Sequence, residues 1–171
     1  MHRRIEIMGI HTRSRHYLRS SDAKKIIKEL EKAFDPSDIG GIFEGKRFEL
    51  VTTDVCDIIQ VEGVPMIFMP DGEPFLTVRG ALEVKPEARI VVVDAGAIRF
   101  VVNGADVMRP GIVQADPGIR AGDLVIVIEE AHRKALAIGR ALISGGEMIG
   151  DSGKAVKTLH YVGDAIWEVT R

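Results

Sequence analysis

Turn residues divide most of this chain into apolar runs too short for anything but β-strands. Between residues 40 and 78, apolar runs at Ile42-Phe43, 48–52, 55–61, 64–69 and 75–78 alternate with Glu44-Gly45-Lys46, Glu62-Gly63 and Asp71-Gly72. Glycine and aspartate supply the backbone freedom and local hydrogen bonds that reverse a chain, so this segment reads as an antiparallel meander. The pattern resumes at 90–93, 124–128, 135–143, 154–162 and 165–169, punctuated by Arg109-Pro110-Gly111, Asp116-Pro117-Gly118 and Ala121-Gly122-Asp123. Many short strands with closely spaced turns point to a small barrel or sandwich.

Helical spacing is confined to a few stretches. Ala23, Ile26, Ile27, Leu30, Ala33 and Phe34 share one helix face, Ser20, Ser21 and Asp22 offer capping oxygens, and Asp35-Pro36 is the expected stop. Asp94 is placed to cap a second, short helix carrying Ile98, Val101 and Val102, which Asn103-Gly104 should end. Ser144-Gly145-Gly146-Glu147 has the spacing of a capping box and predicts one helical turn. Residues 82–89, with Pro86 inside, read as a linker or a domain edge. The expected fold is therefore α+β, with an antiparallel sheet and packed helix over 1–86, then a β pseudo-barrel with short helices and a closing C-terminal strand over 87–171.

Charge and motif content exclude several functions. The net charge is −2, and the two segments are alike, with 13 basic and 14 acidic side chains in 1–86 and 10 and 11 in 87–171. A general polyanion sink is not expected, so any nucleic-acid site must be a local patch that also uses shape. Basic side chains cluster near the start, at Arg3-Arg4 and then at His11, Arg13, Arg15, His16 and Arg19, and residues 13–28 are a candidate extension of such a patch or a solvated helix face. No apolar run is long enough to span a membrane, and residues 1–6 lack a secretory pattern, so a cytoplasmic protein without membrane contact is expected. Cys56 is the lone cysteine, set in an apolar run and expected to behave as a small buried hydrophobe. The five histidines have no metal-ligand spacing. Gly104 and Gly145-Gly146 lack the context of a phosphate loop or dinucleotide fingerprint, and Glu129-Glu130 reads as a solvated hairpin tip. No catalytic constellation or cofactor is indicated, and the chain is not expected to be an enzyme.

The order of elements in the C-terminal half is more specific. Residues 104–112 (GADVMRPGI), 122–127 (GDLVIV), 137–141 (AIGRA) and 153–157 (GKAVK) resemble, in order, the successive elements of the PUA domain. The tail at 160–167 (HYVGDAIW), together with Arg15-His16-Tyr17-Leu18 and Lys24-Lys25 near the start, is similar to one PUA subfamily. That subfamily comprises the malignant T-cell-amplified sequence and its archaeal relatives, in which a pre-PUA domain precedes the barrel.

The resemblance implies binding of structured RNA, either a tRNA at its acceptor or 3′ end or the small ribosomal subunit, in translation initiation or recycling. A protein partner carrying an initiation-factor-like domain is implied as well. The contact residues it implies are Gly104, Ala105, Asp106, Val107, Met108, Arg109, Gly111, Lys154 and Lys157, with Arg13 and Arg15 extending the surface. Gly104 would admit a sugar–phosphate chain, Arg109 would bridge phosphate oxygens or stack on a base, and the lysines would meet phosphates. Met108, Val107 and Val156 are expected in the core. Lys154 and Lys157, three apart on a strand, should face opposite sides. Tyr161 and Trp167 either stack on bases or, as expected, close the barrel and its seam. Two alternatives stay open, an RNA-targeting accessory subunit of a tRNA-modifying enzyme of the archaeosine transglycosylase type and a protein-interaction module without RNA binding.

Overall fold

A computed structural model describes residues 9–169. Arg3 and Arg4 of the basic cluster lie outside the described residues. Five strands form the first sheet as an antiparallel meander, β1 (Thr12–Tyr17), β2 (Phe48–Thr53), β3 (Asp57–Val61), β4 (Val64–Phe68) and β5 (Phe75–Leu76), in the order β1-β2-β3-β4-β5. Among the described residues, strand β1, formed by the basic segment, is one edge of this sheet.

Two helices separate β1 from β2, α1 (Ser20–Leu30) and α2 (Pro36–Phe43). Asp35-Pro36 ends the first helical stretch as expected, but it also opens a second. The Asp35 carboxylate accepts the Ser37 amide at 2.8 Å, and Pro36 fits a first helical turn. Ile42 and Phe43 are accordingly helical rather than extended. Ile39 and Phe43, one turn apart, are both buried, and that packing overrides the breaking tendency of Gly40 and Gly41.

The expected linker is also ordered. Helix α3 (Val78–Val84) starts where Thr77 caps the Gly80 amide at 3.0 Å and donates its hydroxyl to the Pro65 carbonyl at 2.6 Å. It buries Val78, Ala81 and Val84, so Val78 leaves the predicted strand. Lys85 turns left-handed and Pro86 follows, a common helix ending.

The second sheet contains β6 (Ile90–Val93), β7 (Val107–Met108), β8 (Ile112–Ala115), β9 (Leu124–Glu129), β10 (Ala135–Ala141) and β11 (Lys154–Tyr161), in the order β7-β11-β10-β9-β6-β8. Helix α4 (Ala95–Val101) follows β6. The two edge strands, β7 and β8, are joined by a single 3₁₀ turn, Arg109–Gly111. The edges are thus neighbours in sequence, and the sheet curls into the expected pseudo-barrel.

Strand β9 explains how the halves are joined. Its run Leu-Val-Ile-Val-Ile is buried on both faces. Val125 and Val127 point into the barrel with Val91, Val107, Ala137 and Val156, while Leu124, Ile126 and Ile128 join a core that includes Leu30, Phe34, Phe43 and Phe75 of the first sheet's side.

Three other expectations differ. Residues 165–169 form no strand, because Asp164 organises a helical turn by accepting the Trp167 amide at 2.9 Å and, through its carbonyl, the Glu168 amide at 3.0 Å. Glu130 is exposed as expected, but Glu129 is not part of a solvated tip. It is 6% exposed, and its carboxylate accepts the amides of His132 and Lys134 at 2.9 and 3.0 Å, holding the hairpin turn together. The turn at Gly145–Glu147 is 3₁₀ and forms without a side-chain cap from Ser144.

Candidate nucleic-acid interface

Helix α4 and the turn after it are fastened at both ends. Asp94 caps the Ala97 amide at 3.0 Å, and its own amide donates to the Gly111 carbonyl at 2.9 Å, tying the helix start to the 3₁₀ turn. At the far end Gly104 has φ +86°, and a Cβ there would stand 2.7 Å from Cε1 of Tyr161. Glycine is therefore required by the backbone angle and by close packing on Tyr161.

The following residues are stitched to β11. The Asp106 carboxylate accepts the Thr158 amide at 3.0 Å and Lys154 Nζ at 3.2 Å, and the Thr158 hydroxyl donates to the Ala105 carbonyl at 2.8 Å. Val107 stands opposite Val156 and Met108 opposite Lys154. Alternation along this two-residue strand sends Val107 inward, as expected, and Met108 outward, against expectation. Met108 is 45% exposed.

These elements border a mainly apolar groove of about 640 Å³ lined by Asp94, Gly96, Ala97, Phe100, Val101, Ala105, Asp106, Val107, Met108, Pro110, Gly111 and Lys154. Phe100, 53% exposed, and Met108 present their side chains to it, and Lys154 meets Asp106 at the rim. Six of the residues implied by the sequence line this one groove, namely Ala105, Asp106, Val107, Met108, Gly111 and Lys154.

The others are placed differently. Gly104 faces Tyr161. Arg109 turns its guanidinium onto three carbonyls, from Nε to Glu147 at 2.9 Å, from one terminal nitrogen to Ser152 at 3.3 Å and from the other to Ile149 at 3.1 Å. A Cβ at Gly150 would overlap that guanidinium, so Arg109 and Gly150 form one packed loop anchor. Three of the five N–H groups of Arg109 are committed to the fold. Lys157 is exposed, opposite Arg140 of β10, and is not among the groove residues. Lys154 and Lys157 are both exposed although three apart, with Ala155 and Val156 between them both buried. Arg13 and Arg15 lie on β1 in the other sheet, where Arg15 reaches Gln60 Oε1 at 3.4 Å and Glu49 at 3.8 Å.

Phe100 was not singled out by the sequence reading, although a signal existed. In a chain that is 5% aromatic, a phenylalanine stands off the apolar stripe of its helix, which runs through Ile98, Val101 and Val102. The two C-terminal aromatics do close the structure. Tyr161 packs on the barrel core, and Trp167 lies under the Arg79 guanidinium of α3 at 3.7 Å.

Away from the groove, burial and then the Asp57 charge push the Cys56 thiol up to about 11. Among the described residues, no group of three or more His, Cys, Asp or Glu side chains is disposed to hold a metal ion, and no helix is long and apolar enough to cross a membrane.

Comparison with known proteins places the chain by family and fold. A family model for the PUA domain matches residues 89–162. An uncharacterised protein of Methanocaldococcus jannaschii is 46% identical over 157 residues, 91% of this chain and 96% of the relative. Translation machinery-associated protein 20 of Eremothecium gossypii is 28% identical over 178 residues, 98% of this chain and 97% of the relative. The crystal structure of a hypothetical protein from Pyrococcus horikoshii superimposes with a TM-score of 0.85 at 39% identity, over 92% of this chain and 100% of the other.

Proposed function

Because this chain belongs to the family of PUA-domain proteins, we propose that it is a non-catalytic RNA-binding protein of the translation machinery whose groove between α4 and β11 takes an unpaired RNA segment. The groove carries this reading. Phe100 and Met108 offer an apolar surface on which a base can stack, and Lys154 at the rim offers charge to the adjoining phosphate. Asp106 holds Lys154 in place, and an exposed pair of this kind is weak enough to exchange its carboxylate for a phosphate. The unpaired 3′ end of a tRNA acceptor fits such a slot, and a single-stranded segment of small-subunit RNA is the alternative occupant.

The division into residues 1–86 and 87–171 is part of the proposal. The barrel would contact RNA, and the five-stranded sheet would brace it and present further surface to a partner, such as a protein carrying an initiation-factor-like domain.

Fluorescence anisotropy with intact tRNA and tRNA trimmed of its 3′ end tests the groove. Tight binding is expected to be lost on trimming, on Lys154→Glu and on Phe100→Ala. Equal binding of trimmed tRNA, or binding unaffected by both substitutions, would exclude the groove as the RNA site.

A further inference from the structure

The first sheet holds an unmet hydrogen-bond donor. Gln60, the fourth residue of β3, is 1% exposed, and its Nε2 is the one buried side-chain nitrogen or oxygen among the described residues without a partner. Its amide orientation follows from Arg15, whose guanidinium donates to Oε1 and so leaves Nε2 as the free end. A buried amide donor left unpaired carries a desolvation cost that natural structures rarely leave uncompensated.

The surroundings say what would satisfy it. Strand register sets Tyr17 opposite Glu49 and Glu49 opposite Gln60, so three strands place these side chains in one row on one face. A recess of about 310 Å³ there is lined by Tyr17, Arg47, Glu49, Gln60, Glu62 and Gly63. That size is at the lower end of small-molecule sites. The Arg47 guanidinium lies over the Tyr17 ring, 4.2 Å from its centre, and Tyr17 is 59% exposed. Both rim side chains are exposed, so they are free to part and admit a planar ring. A tyrosine–arginine stack is the kind of platform on which unpaired bases lie.

Electrostatics distinguishes a base from a phosphate. Glu49 and Glu62 line the recess, and Glu62 has already accepted the Arg47 amide with one oxygen, at 2.8 Å. These carboxylates, matched by the Arg47 guanidinium at the rim and by Arg15 at 3.8 Å from Glu49, leave no surplus of positive charge for a phosphate and accept well from ring and exocyclic N–H groups. Once the rim parts, an occupant that combines a carbonyl acceptor, for Gln60 Nε2, with adjacent N–H donors, for a carboxylate, meets both needs. The Watson–Crick edge of guanine has this arrangement, with O6 beside N1–H and the N2 amino group.

We infer that the Tyr17–Arg47–Gln60 recess is a second binding site, for an unpaired guanine base, carried by the first sheet and separate from the groove on the barrel. It extends the RNA-binding reading without depending on which RNA occupies the groove.

Guanosine, which carries no phosphate, is the probe, titrated into the isotopically labelled full chain and followed by NMR. Saturable shifts are expected at the Gln60 side-chain amide and at the backbone amides of Glu49 and Glu62, with adenosine binding about tenfold more weakly. Gln60→Met keeps the side-chain length and removes the unpaired donor, so it should fold with an unchanged or higher Tm and lose the guanosine response. Tyr17→Leu, at an exposed edge position, should weaken guanosine by about tenfold and serves if Gln60→Met fails to fold. A single-stranded oligouridylate containing one guanine separates the two sources of the base. Binding tighter than guanosine, lost in Tyr17→Leu but kept in Lys154→Glu, assigns the recess to RNA, and binding no tighter than guanosine assigns it to a free nucleoside. Absence of saturable shifts at these positions, or an undiminished response in Tyr17→Leu, would overturn the site whatever happens at the groove.

Discussion

His160 of β11 accepts the backbone N–H of Val78 through Nε2 at 3.0 Å, so the last barrel strand is bonded to the first residue of α3, 82 positions earlier in the chain. Its Nδ1 lies 2.9 Å from both carboxylate oxygens of Asp164, which fixes the proton on Nδ1 and leaves Nε2 as an acceptor. The ring is fully buried and stands edge-on to Phe68 at 5.4 Å. Substitution His160→Leu should therefore strand the Val78 donor and deprive Asp164 of a partner. A loss of about 2–4 kcal/mol in urea unfolding is expected. A change below about 0.5 kcal/mol would show that the clasp adds nothing to the seam.

Arg109 is expected to report on loop integrity rather than on RNA charge. Arg109→Ala removes three hydrogen bonds to the carbonyls of Glu147, Ile149 and Ser152. Destabilisation of about 1–3 kcal/mol and faster amide exchange across residues 147–153 should follow. Lys154→Glu, on an exposed side chain, should lower RNA affinity while shifting Tm by no more than a few degrees. Equal stability of Arg109→Ala and the parent chain would return Arg109 to the list of free contact residues.

The stability of the chain should fall in acid through Glu129. Amide donation from Lys134 and then His132 holds this carboxyl below its usual 4.5, against an opposing effect of burial. A depressed folded value means that the contribution is complete above the unfolded value and is lost as pH falls through the folded one. Glu129→Gln should flatten the acid limb of a plot of urea midpoint against pH below about 4.5 and lower the plateau above it. Parallel acid limbs in the two proteins would exclude this carboxyl as a source of the pH dependence.

Cys56 should be chemically quiet. With its thiol pushed up to about 11, roughly one molecule in a thousand carries the thiolate at pH 8. Ellman's reagent should react on the order of a hundredfold more slowly with the folded chain than with the chain in urea. Comparable rates would mean that the partial burial of Cys56 does not suppress its thiol.

Separation of the proposed halves should fail. Residues 87–171 alone would expose Leu124, Ile126, Ile128 and Ile138, which are buried in the core shared with the first sheet. Each large aliphatic side chain returned to water costs about 1.5–3 kcal/mol, against a typical total stability of about 5–15 kcal/mol. The fragment should aggregate or bind a hydrophobic dye on expression. A soluble, cooperatively unfolding fragment would establish the barrel as an independent unit.

Much of this was legible in the chain itself. The runs around Leu50, Ile59 and Ile67 became β2, β3 and β4, and Asp94 caps α4 as its position implied, because turns and caps are encoded within a few residues. The groove was half legible. Ordered elements identified Asp106, Met108 and Lys154, but Phe100 emerged only once α4 was seen against β7 and β11.

Local chemistry fails where two readings of a segment are equally good and packing decides. Gly40-Gly41 with Ile42-Phe43 suits an extended strand, yet burial of Ile39 and Phe43 one turn apart makes it α2. Arg109 is a phosphate ligand by type, and three carbonyls supplied by a distant loop make it an anchor. Strand positions, turns and caps were determined by the sequence alone, because they depend on neighbours within a turn or two. The sharing of one core by both sheets, the His160 clasp and the unpaired amide of Gln60 were decided only by tertiary structure, because each depends on residues dozens of positions apart whose contact no local spacing records.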